Sequence, residues 1–382
     1  MRTLRQIPIK DKRVIVRVDF NVPLKDGKVT SAKRIKSALP TIEYLIKKGA
    51  KQIILMSHLG RPKGKPDQKY SLEPIARKLE SIIKKKVFFS PDCMKVLIPD
   101  PTDFQIILLE NLRFYEEEKN NDTKFAKQLA SYADVYVNDA FGTSHRKHAS
   151  VHAITRYLVS AAGFLLEDEI KNLDMKNAKK PLVVIMGGAK VSDKIGVIKN
   201  LLKIADTILI GGAMMFTFYK AMGKETGKSL VEDDKLELAR KLLRNSGQKI
   251  MLPVDSVLSN SLKSSKQTVL GVDSIKKNMM GLDIGPETIK HYKSVIENAK
   301  TIVWNGPMGL FETKPYDKGT NAIARALAKS DSKTIIGGGD SVAAVEKLNL
   351  GSKMTHISTG GGASLELLEG KTLPAVKALS QK

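Results

Sequence analysis

The chain has 382 residues, and its 64 lysines and arginines against 40 acidic residues give a formal net charge of +24. This charge fits nucleic-acid binding or attraction of small anions, but a solvated basic surface is its simplest explanation. This length favours two to three domains, and a single cysteine, Cys93, excludes both a disulfide framework and a cysteine-based metal cluster. No secretory signal and no apolar run of membrane-spanning length is found, so we expect a cytoplasmic protein without a membrane partner.

The first half of the chain alternates short β-branched segments with longer helical patterns. Predicted strands are VIVRV (14–18), QIILM (52–56), QIILL (105–109) and VYVN (135–138). Predicted helices cover Ala32–Lys48, Leu72–Lys84 and Thr123–Tyr132, where apolar residues recur three and four positions apart. This alternation predicts a parallel sheet wrapped by helices.

Polar and charged residues stand directly after these strands. In a parallel sheet the carboxyl ends of the strands meet at one edge, where ligands bind. The candidates there, with one arginine from the start of the next helix, are Asp19, Phe20, Asn21, Arg34, His58, Arg61, Arg113 and Arg146. Any one of these arginines alone is most simply an ordinary surface cation. Clustered, they repel each other unless an anion binds, and the arginine fork suits carboxylate and phosphate oxygens, so we expect a small, multiply charged acid.

The second half repeats the pattern. Its predicted strands are PLVVIM (181–186), TILI (207–210), KIML (249–252), TIVW (301–304), TIIG (334–337) and THIS (355–358). The segment LLEDEIKNLDMKNAKK (165–180) reads as a charged amphipathic helix between the two halves. The sequence therefore predicts an α/β protein of two doubly wound, Rossmann-like domains with mainly parallel sheets, joined by a helix and with a cleft between them.

Glycine-rich turns follow two of the rear strands. GGGDS (337–341) precedes the helical pattern SVAAVEKL, and we expect its backbone N–H groups to approach phosphate oxygens and Asp340 or Ser341 to cap the helix. Lys190 and Lys194 are four positions apart and are predicted to share one face of a helix. Taken singly, such lysines are usually solvated.

Two carboxylates complete the predicted nucleotide site. Asp340 is a candidate ligand for Mg²⁺, which takes few protein carboxylates and shares phosphate oxygens, although a helix cap is an equally simple reading. Glu312, at the end of WNGPMGLFE (304–312), is placed to accept hydrogen bonds from ribose hydroxyls. Together with the glycine turns, these residues predict that the second half binds a nucleotide.

Eight motifs in family order resemble the phosphoglycerate kinase family. They are RVDFNVP (17–23), SHLGRP (57–62), LENLRF (109–114), NDAFGTSHR (138–146), GGAKVSDKI (187–195), WNGPMGLFE (304–312), GGGDS (337–341) and STGGGASLELLEG (358–370). The resemblance covers essentially the whole chain. It implies reversible, Mg²⁺-dependent phosphoryl transfer between 1,3-bisphosphoglycerate with ADP and 3-phosphoglycerate with ATP.

The resemblance also implies roles for individual residues. Those matching the acid-binding positions are Asp19, Phe20, Asn21, Arg34, His58, Leu59, Gly60, Arg61, Arg113 and Arg146. Those matching nucleotide-binding positions are Lys190, Lys194, Gly281, Asn305, Glu312, Gly338, Gly339, Asp340 and Ser341, with Asp340 also at the Mg²⁺ position. Arg34 and Lys190 are expected to be catalytic, because they would stabilise charge on the transferring group.

The resulting domain prediction is an acid-binding domain over 1–164, a joining helix over 165–180 and a nucleotide-binding domain over 181–370, with the tail 371–382 packing back onto the first domain. Because the two half-sites lie in different domains, the transfer requires hinge closure. We expect a monomer. One alternative is another small-acid kinase with the same two-domain plan, and the other is a basic nucleic-acid-binding protein. Two observations argue against nucleic-acid binding: the sequence contains no known DNA- or RNA-binding motif, and aromatic residues make up only 5% of the chain.

Overall fold

The computed structural model describes residues 1–262 and 266–380. The chain forms two compact units. The first comprises Met1–Lys171 together with Thr372–Lys382, and the second comprises Asn172–Lys371. None of the helices in the described ranges combines the length and apolar composition that crossing a bilayer requires.

The first unit is built around a parallel sheet. Its strands are β1 Arg13–Val18, β2 Leu24–Lys25, β3 Lys28–Val29, β4 Gln52–Met56, β5 Val87–Ser90, β6 Ile106–Leu109, β7 Val135–Asp139 and β8 Val159–Ala162. Its helices are α1 Lys33–Lys47, α2 Glu73–Ile83, α3 Glu116–Lys119, α4 Thr123–Ala130 and α5 Phe164–Leu173. The sheet order is β5-β6-β4-β1-β7-β8, and β2 and β3 pair separately as a hairpin. The central strands are mostly apolar and almost entirely buried because helices cover both faces of such a sheet.

Helix α5 is shorter than the sequence predicts. The Oδ1 atom of Asp139 accepts from the backbone N–H groups of Leu165 and Leu166 at 2.9 and 3.3 Å, which satisfies donors of its first turn. The helix ends at Leu173, so the prediction of helix up to residue 180 is wrong. Asp174 is extended, and its side chain accepts from the backbone of Lys176 at 3.1 Å, offering the chain a local turn in place of another helical turn.

The second unit contains two sheets. Its strands are β9 Leu182–Met186, β10 Thr207–Ile210, β11 Ile250–Met251, β12 Asp255–Ser259, β13 Thr268–Gly271, β14 Met280–Ile284, β15 Thr301–Asn305, β16 Lys333–Gly337 and β17 His356–Ile357. Its helices are α6 Ile195–Leu201, α7 Met214–Ala221, α8 Leu236–Ser246, α9 Pro286–Glu297, α10 Lys318–Lys329, α11 Gly339–Lys347 and α12 Gly362–Leu368. The parallel sheet has the order β11-β10-β9-β15-β16-β17. The prediction of two doubly wound, mainly parallel α/β units is confirmed.

A small antiparallel sheet, β13-β12-β14, escaped the sequence analysis. Strand β12, DSVLS, begins with a charged residue and carries two serines, yet it is buried throughout. Asp255 is buried there because its carboxylate accepts from the backbone N–H groups of Glu287 and Thr288 at 3.0 and 2.9 Å, at the start of α9. These partners lie about thirty residues along the chain, so local sequence could not reveal them.

The tail belongs to the first unit. Helix α13, Pro374–Leu379, is buried on its apolar side through Ala375, Ala378 and Leu379. The N–H of Ala375 donates to the carbonyl of Ser144 at 3.1 Å, in the loop that follows β7. This contact ties the end of the chain to the loop that carries Arg146.

Candidate active site

Polar residues gather at the carboxyl edge of the first sheet. Strands β6, β4, β1 and β7 are neighbours there, so the loops that follow them come together. Arg34, in the first turn of α1, donates to the Oδ2 atom of Asp19 at 2.6 Å. The N–H of Gly60 donates to the side-chain oxygen of Asn21 at 2.9 Å, and the carbonyl of Gly60 accepts from Arg113 at 2.8 Å. Hydrogen bonds thus join three of the loops into one polar surface.

His58 lies within a group of cations. The side chain is buried, and burial together with the nearby charges of Arg17, Arg113, Arg34 and Arg146 holds its pKa well below the ordinary value. The ring is therefore neutral at physiological pH and can donate from only one nitrogen. The charges of three of the predicted arginines, Arg34, Arg113 and Arg146, therefore act on this ring.

Arg113 carries an unsatisfied hydrogen-bond donor within this group of cations. Its side chain is 6% exposed, and its Nε atom is buried without a hydrogen-bond partner. Burial and the charges of Arg17 and Arg146 lower its pKa to about 10, so it remains charged at neutral pH. A buried, charged donor without a partner is costly, and an anionic oxygen would satisfy it.

The other predicted acid-site residues have different environments. Arg146 is half-buried, and its Nε donates to the ring of His145 at 3.1 Å. Phe20 and Leu59 are buried, so only their backbone is available to a ligand. Arg61 is exposed to solvent. Within the described part of the chain, no hydrogen bond or ion pair links it to the buried arginines and His58.

The sequence analysis missed the most deeply buried cation of the site. Arg17 lies inside β1 with 0% of its surface exposed and bonds His58, Ser150 and the carbonyl of Val18. Glu118, also fully buried, bonds Ser150. The signal was available, because an arginine inside the apolar segment VIVRV can be buried only with dedicated partners.

The second unit contains a cavity of about 480 Å³ beside the glycine turns of β9, β10 and β15. Its walls are mostly apolar side chains and glycines: Gly188, Ala189, Gly212, Ala213, Met215, Phe216, Lys228, Leu230, Leu262, Met280, Gly281, Leu282, Asp283, Pro307, Met308, Gly309, Leu310, Glu312 and Asp340. Gly281, Glu312 and Asp340 were predicted from sequence to be nucleotide-binding. A mostly apolar cavity with a few polar groups is typical of sites for small organic ligands and cofactors.

Gly281 is required by its close packing against Phe216. A Cβ atom at position 281 would lie 1.9 Å from the Cζ atom of Phe216. The ring is fully buried and packs against Tyr219, with 6.1 Å between ring centroids. Gly281 therefore allows the ring to form one wall of the cavity.

The turns that were predicted to bind phosphate also depart from the sequence prediction. Lys190 and Lys194 do not share a helix face, because α6 begins only at Ile195 and both lysines precede it. The carboxylate of Glu232 accepts from the backbone N–H and hydroxyl of Ser192 at 3.0 and 2.5 Å, which holds this segment as a turn. Lys190 is exposed and Lys194 is half-buried.

Asn305 lies at the centre of these turns. Its Oδ1 atom accepts from the ammonium of Lys194, and its Nδ2 atom is buried without a hydrogen-bond partner. A Cβ at Gly338 would lie 3.0 Å from that Nδ2, and Gly338 has φ of +86°, a conformation that favours glycine. An unpaired amide donor beside a glycine turn and a lysine fits an anionic oxygen.

Helix α11 has a different cap from the predicted one. Gly338 occupies the N-cap position and Gly339 and Asp340 follow within the helix, so neither Asp340 nor Ser341 caps it, and that prediction is wrong. The Ser341 hydroxyl instead accepts from the N–H of Gly306 at 2.6 Å, connecting the turns after β15 and β16. The first N–H groups of α11 thus have no side-chain cap and can serve a ligand.

The residues present fit a weakly held Mg²⁺. Asp340 is exposed at the rim of the cavity, and Lys194 lies close enough for the Asp340 charge to offset part of the burial that lowers the lysine pKa. Within residues 1–262 and 266–380 no group of three or more acidic, histidine or cysteine side chains is arranged to hold a metal ion. Such a site suits an ion that is held by one carboxylate and by phosphate oxygens.

Comparison with known proteins identifies the family of this chain. The family model described as "Phosphoglycerate kinase" matches residues 4–371. A phosphoglycerate kinase of Moorella thermoacetica is 53% identical, covering 100% of this chain and 99% of the relative, and one of Clostridium tetani is 49% identical, covering 100% and 98%.

Solved structures agree with the sequence relatives. The structure of phosphoglycerate kinase from Coxiella burnetii matches with a TM-score of 0.92 at 42% identity, covering 99% of this chain and 98% of that one. The enzyme from Pyrococcus horikoshii matches with a TM-score of 0.84 at 32% identity, covering 100% and 98%. The chain belongs to the phosphoglycerate kinase family.

Proposed function

We propose that the polar edge of the first sheet binds the phosphorylated acid and that the cavity of the second unit binds the nucleotide. Family membership makes the protein a phosphotransferase of glycolysis that moves a phosphoryl group reversibly between 1,3-bisphosphoglycerate with ADP and 3-phosphoglycerate with ATP. The observation that carries the acid-site assignment is the unpartnered, buried Nε of Arg113 within a group of arginines. A multiply negative acid supplies the acceptors that these cations lack.

Asp19 and Arg34 are proposed to act as a pair. The Asp19 Oδ2 atom lies 2.6 Å from the Arg34 guanidinium. The carboxylate has a second oxygen that can accept from a substrate hydroxyl, while Arg34, which is 35% exposed, can also donate to a phosphoryl oxygen. We assign Asp19 and Asn21 to the hydroxyl and carboxylate of the acid and Arg34 to the transferring group.

The base and ribose are proposed to lie in the cavity against Phe216 and Gly281, with Glu312 accepting from ribose hydroxyls. Lys190, Lys194, Asn305 and the N–H groups at Gly338, Gly339, Asp340 and Ser341 would donate to phosphate oxygens. Bound Mg²⁺, held by Asp340 and the phosphates, would neutralise phosphate charge. Lys190 is exposed, so its ammonium group can reach the phosphoryl group that is transferred.

No covalent intermediate with the protein is needed. An acyl phosphate is already a good phosphoryl donor, so positioning and charge stabilisation carry the catalysis of an in-line transfer. All the assigned acid-binding residues precede position 147 and all nucleotide-binding residues follow position 186. The proposal therefore includes closure of the two units on each other when both substrates are bound, which also excludes water.

The direct test is a coupled assay with 3-phosphoglycerate and Mg·ATP, comparing the wild type with Arg34→Ala. Because donors to a developing charge contribute about 10²–10³ in turnover, we expect kcat to fall by about that factor while the ADP dissociation constant stays near wild type. Lys47→Ala removes an exposed cation from the last turn of the same helix and is the matched control. If Arg34→Ala retains the wild-type kcat, Arg34 does not stabilise the transferring group.

We further propose that the enzyme acts as a cytoplasmic monomer without a nucleic-acid ligand. One chain supplies every residue assigned to the two half-sites, so a second copy is not needed. Arg17 and Arg113 are buried, and buried cations cannot reach the backbone of a duplex. Light scattering on a sizing column tests the monomer, and a gel shift at low and high salt tests nucleic-acid binding.

A further inference from the structure

A chain of buried hydrogen bonds leads from Glu118 to His58. Ser150 donates through its hydroxyl to Glu118 Oε1 at 2.7 Å and through its backbone N–H to Glu118 Oε2 at 2.9 Å. Arg17 Nε donates to the same hydroxyl oxygen at 2.9 Å. Arg17 Nη2 lies 3.1 Å from His58 Nδ1. All four side chains are buried, so water does not compete for these bonds.

The direction of each bond follows from the chemistry of the groups. A guanidinium can only donate, and an ionised carboxylate can only accept. The Ser150 hydroxyl therefore accepts from Arg17 and gives its own proton to Glu118. By the same rule His58 Nδ1 must accept from Arg17, so a neutral His58 ring has to carry its proton on Nε2.

Glu118 supplies the negative charge that keeps Arg17 in the protein interior. Burial raises the pKa of its carboxyl, but His148, Arg17 and the Ser150 hydroxyl outweigh this, and the pKa lies below its ordinary value. His148 Nδ1 is 3.7 Å from Glu118 Oε1, which is too long for a hydrogen bond and leaves Ser150 as its direct partner. Without Glu118 and Ser150, the Arg17 charge would be buried among the cations Arg34, Arg113 and Arg146.

We propose that Glu118 and Ser150 are positioning residues, which orient Arg17 so that Arg17 fixes His58 as the Nε2–H tautomer. This inference rests on the proposed acid site. A fixed tautomer presents one pre-aligned donor to the anionic acid, whereas a ring that exchanges tautomers presents a donor at that nitrogen only part of the time.

Nitrogen-15 NMR of the histidine rings in the ligand-free protein tests this directly, with His58→Gln identifying the resonances of His58. In the wild type we expect an unprotonated Nδ1 and a protonated Nε2. In Ser150→Ala, Arg17 loses one of its three anchors, and we expect resonances of mixed tautomers. We also expect kcat/KM for 3-phosphoglycerate to fall about tenfold, the size of one lost hydrogen bond to a charged group, with KM for ATP unchanged.

Two further variants make the result decisive. Ser160→Ala removes a buried hydroxyl from β8 that bonds the carbonyl of Leu158, and it should leave the His58 spectrum and the kinetics unchanged. Glu118→Gln keeps an acceptor for Ser150 but removes the charge, and it should show the same direction of change as Ser150→Ala. A wild-type ring with its proton on Nδ1, or an unchanged His58 spectrum in both network variants, would overturn the inference. An inactive wild type with the expected tautomer would overturn only the proposed function.

Discussion

Gly281 gives the sharpest test of the nucleotide cavity, because its replacement by alanine has a purely steric effect. The residue does not have positive φ, so alanine fits the backbone. The added Cβ would lie 1.9 Å from Cζ and 2.6 Å from Cε2 of Phe216. Carbon atoms pack at about 3.5–4 Å, so the ring has to shift by about 1.5–2 Å.

The consequences follow from where the ring can go. Tyr219 packs against Phe216, and the ring also lines the cavity of about 480 Å³, which offers it space to move into. Overpacking costs about 1–3 kcal/mol in free energy of unfolding. For a unit of about 200 residues such as Asn172–Lys371, this is about 2–12 °C in Tm. A ring displaced into the cavity also obstructs the base, so we expect KM for ATP to rise about tenfold.

The assay is steady-state kinetics with each substrate varied, together with thermal unfolding. Gly271→Ala is the matched control, since Gly271 lies in the same antiparallel sheet and its Cβ would meet nothing closer than the carbonyl of Val254 at 3.9 Å. In Gly281→Ala, KM for 3-phosphoglycerate should stay at the wild-type value. A wild-type KM for ATP in a destabilised Gly281→Ala protein would refute the placement of the base in this cavity.

Two other predictions concern ionisable side chains. Lys194→Met removes the ammonium bonded to Asn305 and should lower kcat/KM for ATP by about 10²–10³. The control Lys199→Met changes an exposed lysine on α6 and should leave kcat/KM for ATP unchanged. Equal kcat/KM values for the two variants would contradict the phosphate-binding role of Lys194. Burial raises the pKa of Asp139 to about 7, whereas the pKa of an aspartate in the unfolded chain is about 3.9. The native state therefore holds the proton more tightly than the unfolded state. As a result, the free energy of unfolding falls by at most about 4 kcal/mol as the pH rises from about 4 to 7. Asp139→Asn keeps an acceptor for the start of α5 and should remove this pH dependence of the free energy of unfolding, measured by urea titration at pH 5 and pH 8. If the free energy of unfolding changes equally with pH in the wild type and the variant, Asp139 does not ionise in this range.

Sequence patterns located most of the parallel strands because the strands are buried on both faces. VIVRV, QIILM and TIVW are recognisable without knowledge of their neighbours, since burial requires an apolar residue at nearly every position. Strand β8, VSAA, was not predicted, because small residues carry little signal. Strand β12 was not predicted either, because its charge is satisfied by residues far along the chain.

The same distinction holds for the site. His58, Arg113 and Asn305 could be proposed from sequence, because each follows or ends a strand within a motif of the family. The sequence could not show that Lys190 and Lys194 precede α6. The start of this helix depends on the hydrogen bond from Ser192 to Glu232, which lies forty residues further along the chain. Arg17 appeared as one charge in an apolar strand, without any sign of what would neutralise it.

The amino-acid order by itself determined two α/β units, the loops that carry polar residues and the family to which the chain belongs, because these depend on local patterns and motifs. Only the tertiary structure decided the partners of the buried charges: Ser150 and Glu118 for Arg17, Asn305 for Lys194 and Phe216 against Gly281. The physical reason is that an unpaired polar group is costly inside a protein, and its partner is set by which segments the fold brings together in space.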